Sequence, residues 1–390
     1  MQTSKIDYKI SQNNKFEAKT STSIYKNSEL DFFRSLFAPF SKRVYLVGGC
    51  VRDALLGREI YDYDIEVYDI EPLKFDELMA DIRASGVGKS YFIYKYKNYD
   101  LGLPRSESKT GNSHKDFAVS YINDPSLASL RRDFTVNAMM MNIFNGEILD
   151  FHGGKKDLES KTLRHIDSEK FKEDPLRVLR GVQFSARLDF SIDDDTLELM
   201  KTLDLAHLSK DRINTELIKF FRSEHLEKGA FYLFKLSLFK EIFGVQICKN
   251  DEFLSELKSA RNFVDDERLF LYMLFGKFEL DAKEILEKMR LPKSYFSILK
   301  EPFFKAMPSD NELLQIALNM PIKSWLGAYN KERIERAKEL GIYESKFEPK
   351  IDVREILAAG FKNEMIAAEI KRAQELEISR YLSERKFRKS

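Results

Sequence analysis

Residues 46–68 read LVGGCVRDALLGREIYDYDIEVY and combine a glycine pair with two closely spaced aspartates. The apolar run Val44–Val47 predicts a short buried strand that ends at Gly48 and Gly49, before a short helix. A Gly-Gly pair between a strand and a helix lets the backbone approach a phosphate and presents N–H groups to it. Arg52, about one turn into the helix, can add a charge-assisted contact to the same phosphates. This part of the sequence therefore predicts a phosphate-binding turn.

Two carboxylates follow the turn on a second predicted strand. Asp62–Tyr68 alternates polar and apolar residues, which is typical of a half-buried strand. Asp62 and Asp64 are two residues apart, so both carboxylates point to one face. Two divalent metal ions held there can bind the attacking and leaving oxygens of a phosphoryl transfer. Alternating polar strands also produce Asp-x-Asp by chance, but the position after the glycine pair favours a metal site.

The pattern of the chain changes near residue 155. Between residues 44 and 150 strand-like and helix-like runs alternate, which predicts a compact α/β domain. From Lys170 onward Leu, Phe and Ile recur at three- and four-residue spacing, which predicts a long all-helical array.

Composition excludes several classes of protein. The chain has 390 residues, of which 43% are apolar and 13% aromatic, so a disordered chain is excluded. The sequence contains no run of about 18 apolar residues, so no membrane span is predicted. The N-terminal residues lack the apolar segment of a secretory signal. Cys50 and Cys248 are too few for a disulfide framework or a zinc site, which suggests a reducing compartment. These features predict a cytoplasmic protein that does not bind membranes.

Four motifs in order carry a resemblance to a known family. The stretch LVGGCVRDALLG with its downstream Asp-Tyr-Asp resembles the signature of class II tRNA nucleotidyltransferases, the CCA-adding enzymes, and of bacterial poly(A) polymerases in the polymerase β superfamily. Three further blocks support it, namely RRDFTVNA at residues 131–138, EDPLRVLR at residues 173–180 and DRINTEL at residues 211–217. The resemblance is specific up to about residue 220 and loose beyond residue 230.

The resemblance implies an α+β fold, with an N-terminal nucleotidyltransferase head that contains a small mixed β-sheet and helices. An all-helical neck, body and tail follow the head. We predict a flexible N-terminal extension at residues 1–30 and the head at residues 31–153. The neck is predicted at residues 154–222, the body at residues 223–310 and the tRNA-binding tail at residues 311–390.

The second block suggests how bases are selected. Asp174 and Arg177 are three residues apart on one helical face and offer an acceptor beside donors. Cytosine and adenine each present an exocyclic amine beside a ring-nitrogen acceptor, so this pair can bind both. Guanine and uracil would leave buried groups unpaired, at a cost of about 1–3 kcal/mol each. The alternative is that Asp174, followed by Pro175, is a helix N-cap, and capping is also a way to position it.

Several other residues have roles implied by the family. Arg132 is expected to contact the nucleotide sugar or phosphate together with Gly48 and Gly49. One interpretation of Arg131 is a surface charge. Asp133 and Asn137 are expected to brace the junction between head and neck.

Two further residues keep alternative interpretations. Arg180 is expected to meet phosphate, with a surface ion pair as the alternative. Asp100 lies where family members carry a third active-site carboxylate, and an ordinary strand aspartate is the alternative. Residues 105–109 resemble a loop that changes shape between C and A addition, and their composition predicts a flexible loop.

The implied activity is the template-independent addition of C and A residues, from CTP and ATP, to the tRNA 3′ end with two Mg²⁺ ions. CC-only addition, A-only addition and poly(A) synthesis use the same chemistry and stay open. A non-catalytic RNA-binding module is a more distant alternative, which retention of both carboxylates and both glycines disfavours. The sequence gives no indication of an obligate protein partner. No histidine is followed by aspartate, so the phosphohydrolase domain of some relatives is not expected.

The net charge of +1 is a cancellation between basic ends and an acidic centre. Residues 1–43 and 323–390 each carry a net charge of +4, whereas residues 44–322 carry −7. Solvated charged faces produce such offsets by chance, but a basic end also suits a phosphate backbone. The residues predicted to bind RNA are Arg380, Arg385, Lys386, Arg388 and Lys389.

Overall fold

The structure, a computed structural model, describes residues 28–88, 93–109, 117–361 and 364–389. Residues 1–27 of the predicted N-terminal extension lie outside the described residues. The strands are β1 (Val44–Val47), β2 (Tyr63–Val67), β3 (Ser85–Gly88), β4 (Ile93–Tyr96), β5 (Tyr99–Gly102), β6 (Arg105–Lys109), β7 (Phe117–Tyr121), β8 (Met140–Asn142), β9 (Ile148–Leu149), β10 (Thr162–Leu163) and β11 (Ser191–Ile192).

Seven of these strands form one mixed sheet in the order β3-β4-β5-β2-β1-β8-β9. Strand β1 pairs antiparallel with β2 and β8, whereas β2 pairs parallel with β5. All four residues of β1 are buried, so both faces of the sheet are covered at this apolar strand. This order brings the end of β1 next to the starts of β2 and β5, and these three strand ends carry the candidate site.

Helices account for most of the chain beyond residue 153. The α-helices are α1 (Ser28–Phe37), α2 (Gly49–Leu55), α3 (Pro72–Asp81), α4 (Pro125–Ser129), α5 (Gly154–Glu159), α6 (Ser168–Lys172), α7 (Leu176–Leu188), α8 (Asp194–Lys201), α9 (Lys210–Phe221), α10 (Leu226–Lys235), α11 (Phe239–Phe243), α12 (Asp251–Ala260), α13 (Leu269–Lys277), α14 (Ala282–Met289), α15 (Asp310–Ala317), α16 (Lys331–Glu339), α17 (Val353–Ala358) and α18 (Glu364–Lys389). Polar residues begin several of them, and Ser309 forms a capping box with Glu312 at α15. None of the helices in the described ranges combines the length and apolar character that crossing a bilayer requires.

The described residues fall into two compact units. The first comprises the described residues up to Gly181 together with Phe190–Leu208, and it contains the mixed sheet. The second comprises Val182–Asp189 together with the residues from Ser209 onward, and it is helical. The predicted α+β fold is thereby confirmed, while the finer division into head, neck, body and tail stays a prediction.

Aromatic side chains form much of the core of the helical unit. Phe220 and Phe221 of α9 and Phe270 of α13 are fully buried. The ring centroid of Phe270 lies 4.8 Å from that of Phe220 and 5.5 Å from that of Phe221. Burial of each such side chain stabilises the fold by about 1.5–3 kcal/mol, so these rings serve packing.

Strands β6 and β7 form a separate antiparallel ribbon. Arg105 pairs with Tyr121, and Lys109 pairs with Phe117. The prediction of a loop at residues 105–109 was wrong, because backbone pairing with β7 makes this segment a strand. A change of its shape between C and A addition stays a prediction.

Candidate active site

The glycine pair lies where the sequence predicts it, between β1 and α2. Gly48 has φ 76° and ψ −137°, a backbone conformation that glycine adopts without the steric cost that a side chain brings. A Cβ atom on Gly48 would lie 3.2 Å from Nη1 of Arg132 and 3.3 Å from Oδ2 of Asp64. The turn therefore brings backbone against one predicted metal carboxylate and one predicted nucleotide-binding guanidinium.

Three aspartates lie at the same end of the sheet, and two of them are paired across neighbouring strands. Val47, the last residue of β1, is opposite Asp64 in β2, and Asp64 is opposite Asp100 in β5. Asp62 lies one residue before β2 begins and is exposed. Asp100 also makes an ion pair of 3.7 Å with Lys95. The register thus supports Asp100, rather than a remote carboxylate, as the third acidic residue beside Asp64.

Negative charge is crowded around Asp64. Its surroundings displace water and raise the pKa of its carboxyl group, the charges of Asp100 and Glu66 raise it further, and Arg132 opposes the rise. A divalent cation would relieve this repulsion, so the residues present fit a metal ion. In the described ranges no three His, Cys, Asp or Glu side chains form a ready-made metal site. Mg²⁺ commonly binds through one or two carboxylates plus substrate phosphates, so two aspartates suffice.

Glu66 is a buried acceptor that the sequence analysis did not single out. It is 5% exposed, and its Oε1 accepts hydrogen bonds from Arg131 and, at 2.9 Å, from Arg132. Burial alone would raise the pKa of Glu66, but the two guanidinium groups outweigh burial and lower it. Arg131 is accordingly a half-buried ion-pair partner rather than a surface charge. The available signal was the alternation of β2, which puts Glu66 on the same face as Asp64.

Arg52 occupies a different setting from the one expected. Its side chain is 2% exposed, and its Nε and Nη2 donate to the two carboxylate oxygens of Asp53, both at 2.8 Å. Its Nη1 donates to the side-chain oxygen of Asn137 at 2.5 Å. A guanidinium so enclosed braces α2 from inside, and it also lies beside the glycine turn, where a Cβ atom on Gly49 would be 3.4 Å from its Nη2. Contact of Arg52 with the triphosphate stays a prediction.

The same network continues to α7. The side-chain amide of Asn137 donates to Asp133 at 2.9 Å, and Nε of Arg180 donates to the other oxygen of Asp133 at 2.6 Å. Burial opposes ionisation of Asp133, but Arg180 and the Asn137 hydrogen bond outweigh burial and lower its pKa to about 2. Asp133 and Asn137 thus connect Arg52 of α2 to Arg180 of α7, and their role at a junction between head and neck stays a prediction. Arg180 makes an ion pair with the buried Asp133 rather than the surface pair that was the alternative, and its contact with phosphate stays a prediction.

Asp174 and Arg177 lie at the start of α7. Oδ1 of Asp174 accepts a hydrogen bond of 3.2 Å from the backbone N–H of Leu176, so Asp174 caps the helix. Nη2 of Arg177 donates to the carbonyl oxygen of Arg131 at 2.6 Å, and Nη1 donates to that of Lys170 at 3.0 Å. Burial lowers the pKa of Arg177. Capping is therefore observed, and selection of bases by this pair stays a prediction.

A second Gly-Gly turn was missed by the sequence analysis. Asp150 accepts hydrogen bonds from the N–H groups of Gly154 at 2.7 Å and Lys155 at 2.9 Å. A Cβ atom on Gly154 would lie only 2.4 Å from the carbonyl oxygen of Thr135. The signal was the sequence Asp-x-x-Gly-Gly, in which an acidic residue precedes a glycine pair. This turn fixes the end of the sheet against the segment that follows Arg132.

The basic residues predicted to bind RNA lie in α18. Arg380 makes ion pairs with Glu377 at 3.0 Å and Glu384 at 3.7 Å. Arg385 donates to the hydroxyl of Tyr381 at 3.0 Å and to the backbone carbonyl of Glu339. The side chains of Lys386, Arg388 and Lys389 lie outside the described residues. Contact of this helix with RNA stays a prediction.

Two family models match the chain. Residues 44–164 match the family described as "Poly A polymerase head domain". Residues 189–249 match the family described as "Probable RNA and SrmB- binding site of polymerase A". The first match includes the glycine pair, the aspartates at positions 62, 64 and 100, and Arg132.

Two curated relatives are named for CCA addition. A CCA-adding enzyme from Oceanobacillus iheyensis is 34% identical over 215 residues, which cover 54% of this chain and 53% of that protein. A multifunctional CCA protein from Vibrio cholerae is 39% identical over 194 residues, which cover 47% of each chain. The chain therefore spans about half the length of these curated relatives.

A solved structure extends the likeness in fold beyond the matched sequence. The structure of the Thermotoga maritima CCA-adding enzyme complexed with tRNA is similar with a TM-score of 0.64, at 22% identity, over 93% of this chain and 94% of that chain. At this identity the likeness concerns the fold. The two family models lead to one conclusion: residues 44–164 form a head domain of the poly(A) polymerase type, and residues 189–249 are similar to an RNA-binding segment of the same polymerases.

Proposed function

We propose that the protein is a template-independent nucleotidyltransferase that adds C and A residues, from CTP and ATP, to the 3′ end of tRNA. The observation that carries this proposal is the convergence of Gly48, Asp64 and Arg132 beside Asp100. The names of the curated relatives support CCA addition, and the T. maritima enzyme of the same fold was solved with tRNA. The reaction is attack of the tRNA 3′-hydroxyl on the α-phosphate of the nucleotide, which forms a new ester bond and releases pyrophosphate.

Asp62 and Asp64 would hold two Mg²⁺ ions, with Asp100 as a third carboxylate. When bound, such ions polarise the phosphate and stabilise the attacking and leaving oxygens. The crowding of Asp64 by Asp100 and Glu66 supports this assignment, because a cation offsets the repulsion among the three carboxylates.

Arg132 and the Gly48-Gly49 turn would hold the nucleotide. Arg132 lies between Glu66, which fixes its guanidinium, and the space that a side chain on Gly48 would fill. The neighbouring Asp64 and Glu66 also raise the pKa of Arg132 against the effect of burial, so it stays charged. A fixed cation beside a side-chain-free turn suits the sugar and phosphates of a nucleoside triphosphate.

Asp174 and Arg177 would select the base. The cap contact with Leu176 fixes one carboxylate oxygen, and carbonyl groups of Arg131 and Lys170 support the guanidinium. A rigid acceptor and a rigid donor can discriminate, because a wrong base leaves buried polar groups without partners at about 1–3 kcal/mol each. Protein side chains then do the work of a template.

The proposal predicts a defined order of incorporation. Purified protein is incubated with tRNA transcripts that end before the first C, before the second C, and before the terminal A, each with one labelled nucleoside triphosphate. We expect C on the first two transcripts, A on the third, and no incorporation from GTP or UTP. Incorporation of only C, of only A, or of long A tails would contradict full CCA addition.

The tail would bind the acceptor arm of tRNA through its phosphates, since RNA helices are recognised mostly by shape and backbone. We expect replacement of Arg385, Lys386, Arg388 and Lys389 by alanine to weaken tRNA binding and to reduce the slope of log affinity against log salt by roughly 3, because each lost phosphate contact removes about 0.7–0.9. Binding is measured by filter retention at several salt concentrations. A variant that replaces the exposed Lys283 and Lys288 of α14 is the control. An unchanged salt slope in the quadruple variant would show that tRNA binds elsewhere on the protein.

A further inference from the structure

Glu66 shares one face of β2 with Asp64, but its environment differs from that of Asp64. Its side chain is buried, and both carboxylate oxygens are engaged. Oε1 accepts from Arg131 and Arg132, and Oε2 accepts from the hydroxyl of Tyr68 at 3.0 Å. Glu66 is therefore held from three sides at a fixed position two residues from Asp64.

The Arg131-Arg132 dipeptide is held from its other side by α7. Its side chains bind Glu66, whereas its backbone carbonyl groups face Arg177. Nη2 of Arg177 is 2.6 Å from the carbonyl oxygen of Arg131, and Nη1 is 3.5 Å from that of Arg132, a long contact. One dipeptide thus connects the carboxylate strand to the start of the helix that carries Asp174 and Arg177.

We propose that Glu66 is a positioning residue for nucleotide selection: by anchoring Arg131 and Arg132 on β2, it fixes Arg177 relative to Asp64. The inference rests on the proposed function and adds a residue to it. Glu66 does not touch the substrate in this account. Its effect passes through the dipeptide, whose displacement would move the guanidinium that reads the base.

The contacts from Glu66 through the dipeptide to Arg177 predict that loss of Glu66 changes the discrimination between nucleotides. A carboxylate that only neutralises two arginines would change stability, or would change turnover equally for every nucleotide. A carboxylate that positions Arg177 would change the ratio between correct and incorrect nucleotides, because discrimination requires donors and acceptors at fixed places. The decisive quantity is therefore the ratio of kcat/KM for CTP to kcat/KM for UTP.

The test uses Glu66→Gln, which preserves the shape of the side chain, on the transcript that ends before the first C. We expect the CTP-to-UTP ratio of kcat/KM to fall about tenfold, the size expected when one positioned polar contact is loosened. The substitution is repeated in an Arg177→Lys background, where we expect no further fall, because both changes act through one guanidinium. Glu301→Gln is the matched control, since the side chain of Glu301 is 5% exposed against 7% for Glu66, binds an arginine, Arg268, and lies in the helical unit.

An equal loss of kcat/KM for CTP and UTP in folded Glu66→Gln would overturn the inference. A further fall of the ratio in the Arg177→Lys background would also overturn it. If Glu66→Gln does not fold, Arg131→Lys replaces it, because lysine keeps the charge and loses the planar fork, and the same fall in ratio is expected. If the unaltered protein adds neither C nor A to tRNA, the proposed function itself fails, which is a different outcome from an unchanged ratio.

Discussion

Asp64→Asn is expected to lower kcat for nucleotide addition by roughly 10³-fold or more, since it removes a metal-binding charge from the reaction centre. Asparagine has nearly the same volume as aspartate, so the sheet register of this position with Val47 and Asp100 should persist. We expect tRNA affinity to stay within about twofold, because RNA binding depends on phosphate contacts made elsewhere. Single-turnover kinetics and filter binding measure the two quantities on the same preparations.

Asp69→Asn is the matched control for Asp64→Asn. Asp69 follows the opposite end of β2, is exposed, and makes an ion pair with Arg43 at 2.7 Å. An exposed pair of this kind contributes about 0–1 kcal/mol to stability, so activity should be unaffected. If the Asp64→Asn variant is as active as the Asp69→Asn variant, the assignment of Asp64 as a metal ligand is contradicted.

Arg52→Met is expected to destabilise the first unit by about 3–5 kcal/mol, because it leaves a buried carboxylate without its bidentate partner. Asp53 and Asn137 are 8% and 5% exposed, so water cannot replace the three hydrogen bonds that Arg52 donates to them. The sequence alone predicted a phosphate contact, whose loss would raise KM for nucleotides with little change in stability. Urea denaturation and steady-state kinetics therefore distinguish the two roles.

Arg58→Met supplies the comparison for Arg52→Met. Arg58 lies just beyond α2 and is exposed, so its replacement should change the free energy of unfolding by less than about 0.5 kcal/mol. An Arg52→Met variant that is as stable as Arg58→Met, but has a raised KM for both CTP and ATP, would contradict the structural role of Arg52.

The glycine turn and the paired aspartates could be predicted because their signals are local. Alternation along a strand fixes which side chains share a face, so Asp62 and Asp64 were identified from the sequence alone. Asp100 was harder, because its place beside Asp64 depends on the parallel pairing of β2 with β5. A single sequence does not encode that register in any short pattern.

The burial of Arg52 could not be predicted from the sequence. Its partner Asn137 is 85 residues away along the chain, and only the folded sheet brings them together. A motif identifies an arginine after a glycine turn, but it does not state which neighbours surround the guanidinium. The role of Glu66 was hidden for the same reason, since Arg131 lies 65 residues from it.

Sequence reasoning about α7 predicted the helix and singled out Asp174, Arg177 and Arg180, but it left open what these side chains contact. Asp174 caps the helix, as its position before Pro175 indicated, and this contact also fixes its carboxylate. Arg180 pairs with Asp133, a partner 47 residues away that the block EDPLRVLR does not contain. Local patterns thus predicted the helix, whereas long-range pairing decides what its side chains contact.

The most direct test of the account is to sequence the RNA that the protein produces. A tRNA transcript without its terminal CCA is incubated with protein, all four nucleoside triphosphates and Mg²⁺, and the 3′ ends of the products are sequenced. The account predicts that the added sequence is CCA and that addition then stops. Long A tails, additions that stop after CC, or an unextended transcript would contradict the claim that this site selects C and then A without a template.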